Sequence, residues 1–541
     1  MKKLVLAAAV SVALFGGAAQ AVTAVPTIDM STTTVMYLSG ASASLDYVNN
    51  LITGSAAPVA DRFCATTAEV WRFNDNIDGK TQNAFYCTTS ANLPGAKSHL
   101  LIYKRSEGGS DLGVAPVVTN TAIPFLNITS NPTCEVKTAA VVGGAAGAVK
   151  CTYDATTATA SQYTMAIPDL GMSDVDPGQF RSNNVTAGFN PITADDLSAL
   201  TVSALSAVVF GEPVTLQLYK ALQFAQKATG KIASTCAIGD RTEACMPGLT
   251  SAEIASIHTG QWTNWNSLKV TPVTGYVGAT AVGTTKGLFD FITSDAVSYV
   301  PKVANVHVCR RVDGSGTQAQ HGIVFLNTPC ADASAATAPA HDLGTAETDP
   351  YTQIHEMSTS GGVSDCLKSL DTGVQIVGSA FDETAFVGGS RWAVGLQSLE
   401  KGNASNYEFV KVDGVAPTLA NVANGTYKDW VENTFQYNNT HYAALATDVK
   451  KVVDTLIKKA SIPEVMSALN NPASTTSGFI HAFGNGAYLA VPSLFTPETN
   501  GAYNSARPVN PYSRAVFGTP VENCRVPTIW NDGVNVGTSA L

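Results

Sequence analysis

The chain has 541 residues, a net charge of -10 and only 14% charged residues, with 45 glycines and ten cysteines. An acidic chain without a Lys/Arg cluster excludes itself as a nucleic-acid partner or a binder of anionic membrane surfaces, although a buried anion site needs only a few fixed donors. The length exceeds what one ordinary core fills, so two or more domains are expected.

Lys2 and Lys3 precede an apolar run from Leu4 to Phe15, and Ala19-Gln20-Ala21 is a small-x-small cleavage pattern. This predicts a secretory signal peptide over 1–21, with Val22 first in the mature chain; the run is too short for a membrane-spanning helix. No cysteine sits at that junction to carry a lipid, and no later run reaches about 18 apolar residues. The expectation is a periplasmic or secreted protein with no direct membrane anchor. In an oxidising compartment an even cysteine count predicts disulfides. Sequence neighbours suggest Cys64–Cys87, Cys134–Cys151, Cys236–Cys245 and Cys309–Cys330, leaving Cys366–Cys524. No CxxC or His/Cys spacing suits zinc, so neither metal nor cofactor is expected.

Strand-like and helix-like segments then alternate. Thr33 to Leu38 is β-branched and ends in a Ser-Gly-Ala-Ser turn, and His99 to Tyr103 runs into Lys104-Arg105-Ser106-Glu107-Gly108-Gly109-Ser110. Met165 to Pro168 leads to a Gly171-Met172-Ser173-Asp174 loop, and Val306 to Cys309 to Arg310-Arg311-Val312-Asp313-Gly314-Ser315-Gly316-Thr317. Four strands thus break into small-residue loops at their carboxyl ends, where open α/β sheets bind ligands. Thr250 with Glu253 reads as a capping box, with Leu249 and Ile254 as its staple. Val449, Val452, Val453, Leu456 and Ile457 follow the spacing of an amphipathic helix behind Asp448. The Ala/Gly/Thr-rich stretches 111–160 and 331–362 read as insertions or long loops.

A tetrahedral oxyanion held without metal needs converging donors: amides at helix starts, hydroxyls on Gly-rich loops, and one guanidinium. The four junctions offer Ser42, Ser106, Asp174, and Arg311 with Ser315, Gly316 and Thr317. Taken alone, Arg311 reads as a surface ion pair, and Asp174 has a second reading as a helix cap. Asp313-Gly314-Ser315-Gly316 has the wrong order for a serine-hydrolase loop, and none of the eight histidines lies in a triad motif, so no enzyme is expected.

Arg311 to Thr317 resembles the Arg-x-Asp-Gly-Ser-Gly-Thr loop of the phosphate-binding proteins of bacterial phosphate ABC importers, within the type 2 periplasmic-binding-protein superfamily. Ser39-Gly40-Ala41-Ser42-Ala43, Ser106-Glu107-Gly108-Gly109 and Gly171 to Pro177 resemble that family's other anion loops in the same order, as do Leu249 to Trp265 and Val410 to Tyr427. The resemblance implies an enlarged α/β protein of two lobes, each a mixed sheet flanked by helices, with the ligand in the cleft. It implies lobe 1 over 22–208 and 430–541, lobe 2 over 209–429, and crossings near Ala207 to Pro213 and Gly425 to Trp430. Arg311 becomes the guanidinium clamp; Ser42, Ala43, Ser106, Ser315, Gly316 and Thr317 become hydroxyl and amide donors. Asp174 becomes an acceptor that a protonated phosphate satisfies and sulfate does not. Ala43 stands where an aromatic is usual, and Glu107 puts a carboxylate beside the site, which Lys104 or Arg105 could offset. The implied function is phosphate capture by a monomer for an ABC permease; an exported scavenger, sensor or matrix protein on the same fold is the alternative.

Overall fold

A computed structural model describes residues 21–43, 45–53, 61–75, 82–154, 161–182, 184–331, 350–376, 381, 387–402, 406–470, 480–499 and 502–538. Most of the expected leader, 1–20, lies outside them. The chain is mixed α/β and builds two principal sheets among the described residues, each with its own core.

The larger sheet is parallel at its centre and mostly antiparallel on its flanks, where Val70–Asn74 and Gly147–Lys150 pair in parallel. Thr33–Gly40 lies between His99–Arg105 and Leu170–Ser173, parallel to both. Gln82–Thr88 and Val70–Asn74 extend one side; Trp430–Asn438 and Leu200–Gly211 extend the other. Strand alternation feeds two cores. Leu100 and Ile102 face Val48, Leu51, Val452, Val453 and Leu456, whereas Leu101 and Tyr103 face Trp71, Phe73 and Phe125. The buried triplet Val452, Val453 and Leu456 belongs to helix Thr447–Lys459, whose apolar stripe the sequence pattern predicts.

The smaller sheet runs Gln353–Met357, His307–Arg311, Ala393–Gly395, Pro213–Thr215 and Tyr407–Phe409. Val308 and Val394 pack under helices Leu216–Ala228 and Ser251–His258, while Cys309, Met357 and Ala393 pack under helix Ser360–Thr372. Helix Ser251–His258 starts with the expected capping box: Thr250 Oγ1 accepts from the Glu253 amide, and Glu253 accepts from the Thr250 amide. The chain passes from the larger sheet at Gly211 to the smaller at Pro213, with Glu212 between them, and Trp430 re-enters the larger sheet.

Several expectations are corrected. The stretch 111–160 is no plain loop: Glu135–Thr138 and Gly147–Lys150 add two strands to the edge of the larger sheet. In 331–362, residues 332–349 lie outside the described residues, but Gln353–Met357 is a strand and Ser360 begins a helix. Gly171 to Ser173 forms a strand rather than a loop, because the parallel ladder to Thr33–Gly40 reaches Met172. Cys64–Cys87, Cys134–Cys151 and Cys236–Cys245 are bonded, but Cys309 pairs with Cys366 and Cys330 with Cys524. Cys309 faces the helix that crosses its own sheet, so its partner is set by packing and not by proximity along the chain.

Candidate functional site

The parallel registers decide which loops meet. Ser39 lies opposite Arg105 on one side and Gly171 on the other, so the segments holding Ser42, Ser106 and Asp174 leave the sheet side by side. In the smaller sheet Arg311 lies opposite Met357. The Asp313–Thr317 loop and the start of helix Ser360–Thr372 therefore emerge together. Five strand ends from two sheets converge on one buried point.

Arg311 is fully buried and spreads its donors in two directions. Nε donates to the Met357 carbonyl (3.1 Å) and Nη2 to the Ser358 carbonyl (2.8 Å), which anchors the guanidinium to its own lobe. Nη1 donates to Ser42 Oγ and Ser360 Oγ, each at 3.1 Å, so it reaches across to the other lobe. A hydroxyl that accepts from a guanidinium must turn its own proton elsewhere. Ser42 Oγ and Ser360 Oγ also lie 3.4 Å apart in a mutual hydrogen bond, so the pair carries the positive charge of Arg311 across the cleft and leaves one hydroxyl proton to donate outward. Burial pulls the Arg311 pKa down to about 10, against the pull of Asp174, so the side chain stays charged at neutral pH.

Asp174 is also buried. Oδ2 accepts from Thr317 Oγ1 at 3.2 Å, and its backbone amide donates to Ser110 Oγ at 3.1 Å. Its second oxygen, Oδ1, is buried with no hydrogen-bond partner. Burial pushes the carboxyl up to about 6, while Arg311, Thr317, Lys104 and Ser110 pull the other way. The alternative role as a helix cap falls to a neighbour: Asp176 Oδ1 accepts from the Gly178 amide at the start of Pro177–Gln179.

Lys104, which the sequence offers only as a counter-charge to Glu107, sits inside the site. Its Nζ donates to the carbonyls of Gly40 (2.7 Å), Ala41 and Arg105 and to Ser106 Oγ (3.1 Å), tying two anion loops together. Burial depresses its pKa to about 7, opposed by the Asp174 charge. Glu107 turns away: it pairs with Arg105 at 3.1 Å and accepts from Gln82 Nε2 and Tyr153 Oη. Its charge is neutralised at the flank of the sheet.

The remaining expected residues are placed as follows. Ser106 Oγ accepts from Lys104, leaving its own proton to donate. Ser315 Oγ accepts from the Gln318 amide at 3.4 Å, as the cap of Gly316–His321. Gly316 is buried against Ser110 and Asp174, where a Cβ would come within 2.2 Å of Ser110 Oγ. Ala43 is buried behind Ser42, and its carbonyl accepts from Tyr488 Oη at 3.4 Å. Sequence reasoning missed Ser110 and Ser360. Ser110 follows Gly109 in the same small-residue loop, a usable signal; Ser360 lay in a stretch read as an insertion.

The lobes touch directly here. The Asp111 amide donates to the Gly314 carbonyl at 2.9 Å, and the Gly314 amide to Asn184 Oδ1 at 3.2 Å.

No protein-family model matches the sequence, and no curated protein matches it. Solved structures similar to it include a putative phosphate ABC transporter substrate-binding protein from Clostridium perfringens with bound phosphate. That one is 13% identical with a TM-score of 0.36, covering 78% of this chain and 93% of its own. An ABC-type phosphate transport receptor from Vibrio cholerae is 10% identical, with a TM-score of 0.33 and coverage of 78% and 93%. A structure described as DING protein is 12% identical, with a TM-score of 0.35 and coverage of 78% and 86%. Likeness this distant carries no argument about ligand or role, which must come from the geometry of the site itself.

Proposed function

We propose that the protein captures inorganic phosphate between its two lobes. The observation that carries this reading is Asp174, with one buried oxygen unpartnered beside the charge of Arg311 and among the hydroxyls of Ser42, Ser106, Ser110 and Thr317. Arg311, Lys104 and the hydroxyls favour an anion; a carboxylate among them favours an anion that brings its own proton. Hydrogen phosphate meets both demands. Sulfate leaves Asp174 facing a like charge with nothing to accept.

On this reading the protein holds its ligand without transforming it. The Ser315 hydroxyl accepts from the Gln318 amide as a helix cap, and the histidine of that helix, His321, lies against Glu212. Five disulfides fit an oxidising, extracytoplasmic compartment. Delivery to a membrane permease is the favoured role. Scavenging or a structural role outside transport has one observation in its favour: Phe517, Val526 and Val534, near the end of the chain, are 67%, 80% and 82% exposed, apolar side chains open to a partner.

Isothermal titration of the mature protein with phosphate, arsenate and sulfate tests the ligand. Heat with phosphate and arsenate but not sulfate at pH 7.5 is expected; no heat with phosphate overturns the reading. Arg311→Ala should abolish the phosphate signal. Uptake of labelled phosphate by a deletion strain separates transport from the other roles.

A further inference from the structure

At the first crossing between the lobes, a second group of buried side chains lies apart from every contact of the anion site. Glu212 joins the last strand of one sheet to the first of the other. His258 ends helix Ser251–His258, and His321 ends helix Gly316–His321. All three are at most 2% exposed. Glu212 Oε2 lies 3.2 Å from His258 Nε2, and Oε1 lies 3.0 Å from His321 Nε2. The two rings are 4.0 Å apart, and one ligating atom from each residue fits within 4.8 Å of the others.

Two histidines sharing one carboxylate could be a plain hydrogen-bonded cluster. The geometry at His321 argues otherwise. Its Nε2 lies 3.0 Å from Glu212 Oε1, and its Nδ1 is buried with no hydrogen-bond partner. A buried ring with an unsatisfied nitrogen is costly, and lone pairs converging on one point are what a metal ion requires. We propose that Glu212, His258 and His321 form a binding site for a divalent cation of the zinc class.

Two imidazoles and a carboxylate are a borderline-soft donor set that suits zinc over magnesium or calcium. Bonds of about 2.0–2.2 Å to such a metal place ligand atoms roughly 3–3.5 Å apart; Glu212 keeps 3.2 Å from His258 through Oε2 and 3.0 Å from His321 through Oε1. The fourth position falls to water. The ligands are 46 and 63 positions apart in sequence, so no spacing motif announces them. The consequence is mechanical: helix Gly316–His321 carries the anion loop at its other end, and the metal would clamp that helix to the crossing.

The test uses tag-free mature protein stripped with a chelator and titrated with Co2+ and then Zn2+. One equivalent of Co2+ should give the intense visible absorption of a low-coordinate site, and Zn2+ should bleach it stoichiometrically. His321→Asn and Glu212→Gln should weaken cobalt binding at least about tenfold, while His441→Gln leaves it unchanged. Failure of stripped wild-type protein to take up an equivalent of either ion overturns the proposal, with no variant needed. So does a signal that persists in both ligand variants. Phosphate titration of the same stripped protein reads the anion site separately, so failure of one assignment does not imply failure of the other.

Discussion

At Asp174, burial and hydrogen bonding make opposite demands, and selectivity follows from the balance. Its carboxyl is raised to about 6 by desolvation. Above that pH it is ionised and can only accept; below it, the carboxyl carries a proton and can donate. Sulfate should therefore be rejected at pH 7.5 and should compete increasingly as pH falls through 6, with calorimetric competition as the readout. Asp174→Asn, which keeps a donor at every pH, should bind sulfate at pH 7.5 and lose that pH dependence. Ser360 acts more modestly. Removing its hydroxyl takes one acceptor from Arg311 Nη1 and one donor from the anion. Ser360→Ala should cost about 0.5–1.5 kcal/mol in phosphate affinity, up to roughly tenfold, with the fold intact by circular dichroism.

Among the elements, the disulfide Cys309–Cys366 couples structure to site most closely. Cys309 lies two residues before Arg311, and Cys366 lies on the helix that begins at Ser360, whose hydroxyl Arg311 contacts. The bridge closes a 57-residue separation, for which the chain-entropy relation gives about 4 kcal/mol. Cys309→Ala with Cys366→Ala should lower both the melting temperature and phosphate affinity. Removing Cys236–Cys245, which closes only 9 residues and packs with Ile232 in a small cluster of its own, should lower stability less and leave affinity alone, as differential scanning and calorimetry would show. The same pair marks where sequence reading stopped. Local signals were readable: the Thr250 capping box, the apolar stripe of Thr447–Lys459, and small-residue loops after strands. Strand Gln353–Met357 escaped because it adjoins a compositionally loop-like stretch, and its place beside His307–Arg311 is fixed by a parallel ladder that no local pattern encodes. Ser360 and the true partner of Cys309 were lost with it. Glu107 illustrates the converse: its type and position threatened the anion site, but a strand edge carrying Arg105, Gln82 and Tyr153 takes its charge.

For the whole molecule, the question is how closely two lobes must approach before the donor set is complete. Ser42, Ser106 and Asp174 belong to one sheet, Arg311, Thr317 and Ser360 to the other, so neither half has enough donors alone. Backbone packing sets the limit of approach. Gly316 lies against Ser110 and Asp174, where an added Cβ would come within 2.2 Å of Ser110 Oγ and 2.7 Å of Asp174 Cβ; Gly109 meets the Ser315 Cα from the opposite side. Gly316 sits at the first position of a short helix, a conformation that alanine adopts without strain. Gly316→Ala should therefore leave each lobe folded and act only by wedging the lobes apart. Phosphate affinity should fall more than tenfold with little change in melting temperature of the unliganded protein. Small-angle scattering should show phosphate-induced compaction in the wild type and not in the variant. Compaction at wild-type affinity in Gly316→Ala would place closure elsewhere, because that contact leaves no room for a methyl group between closed lobes.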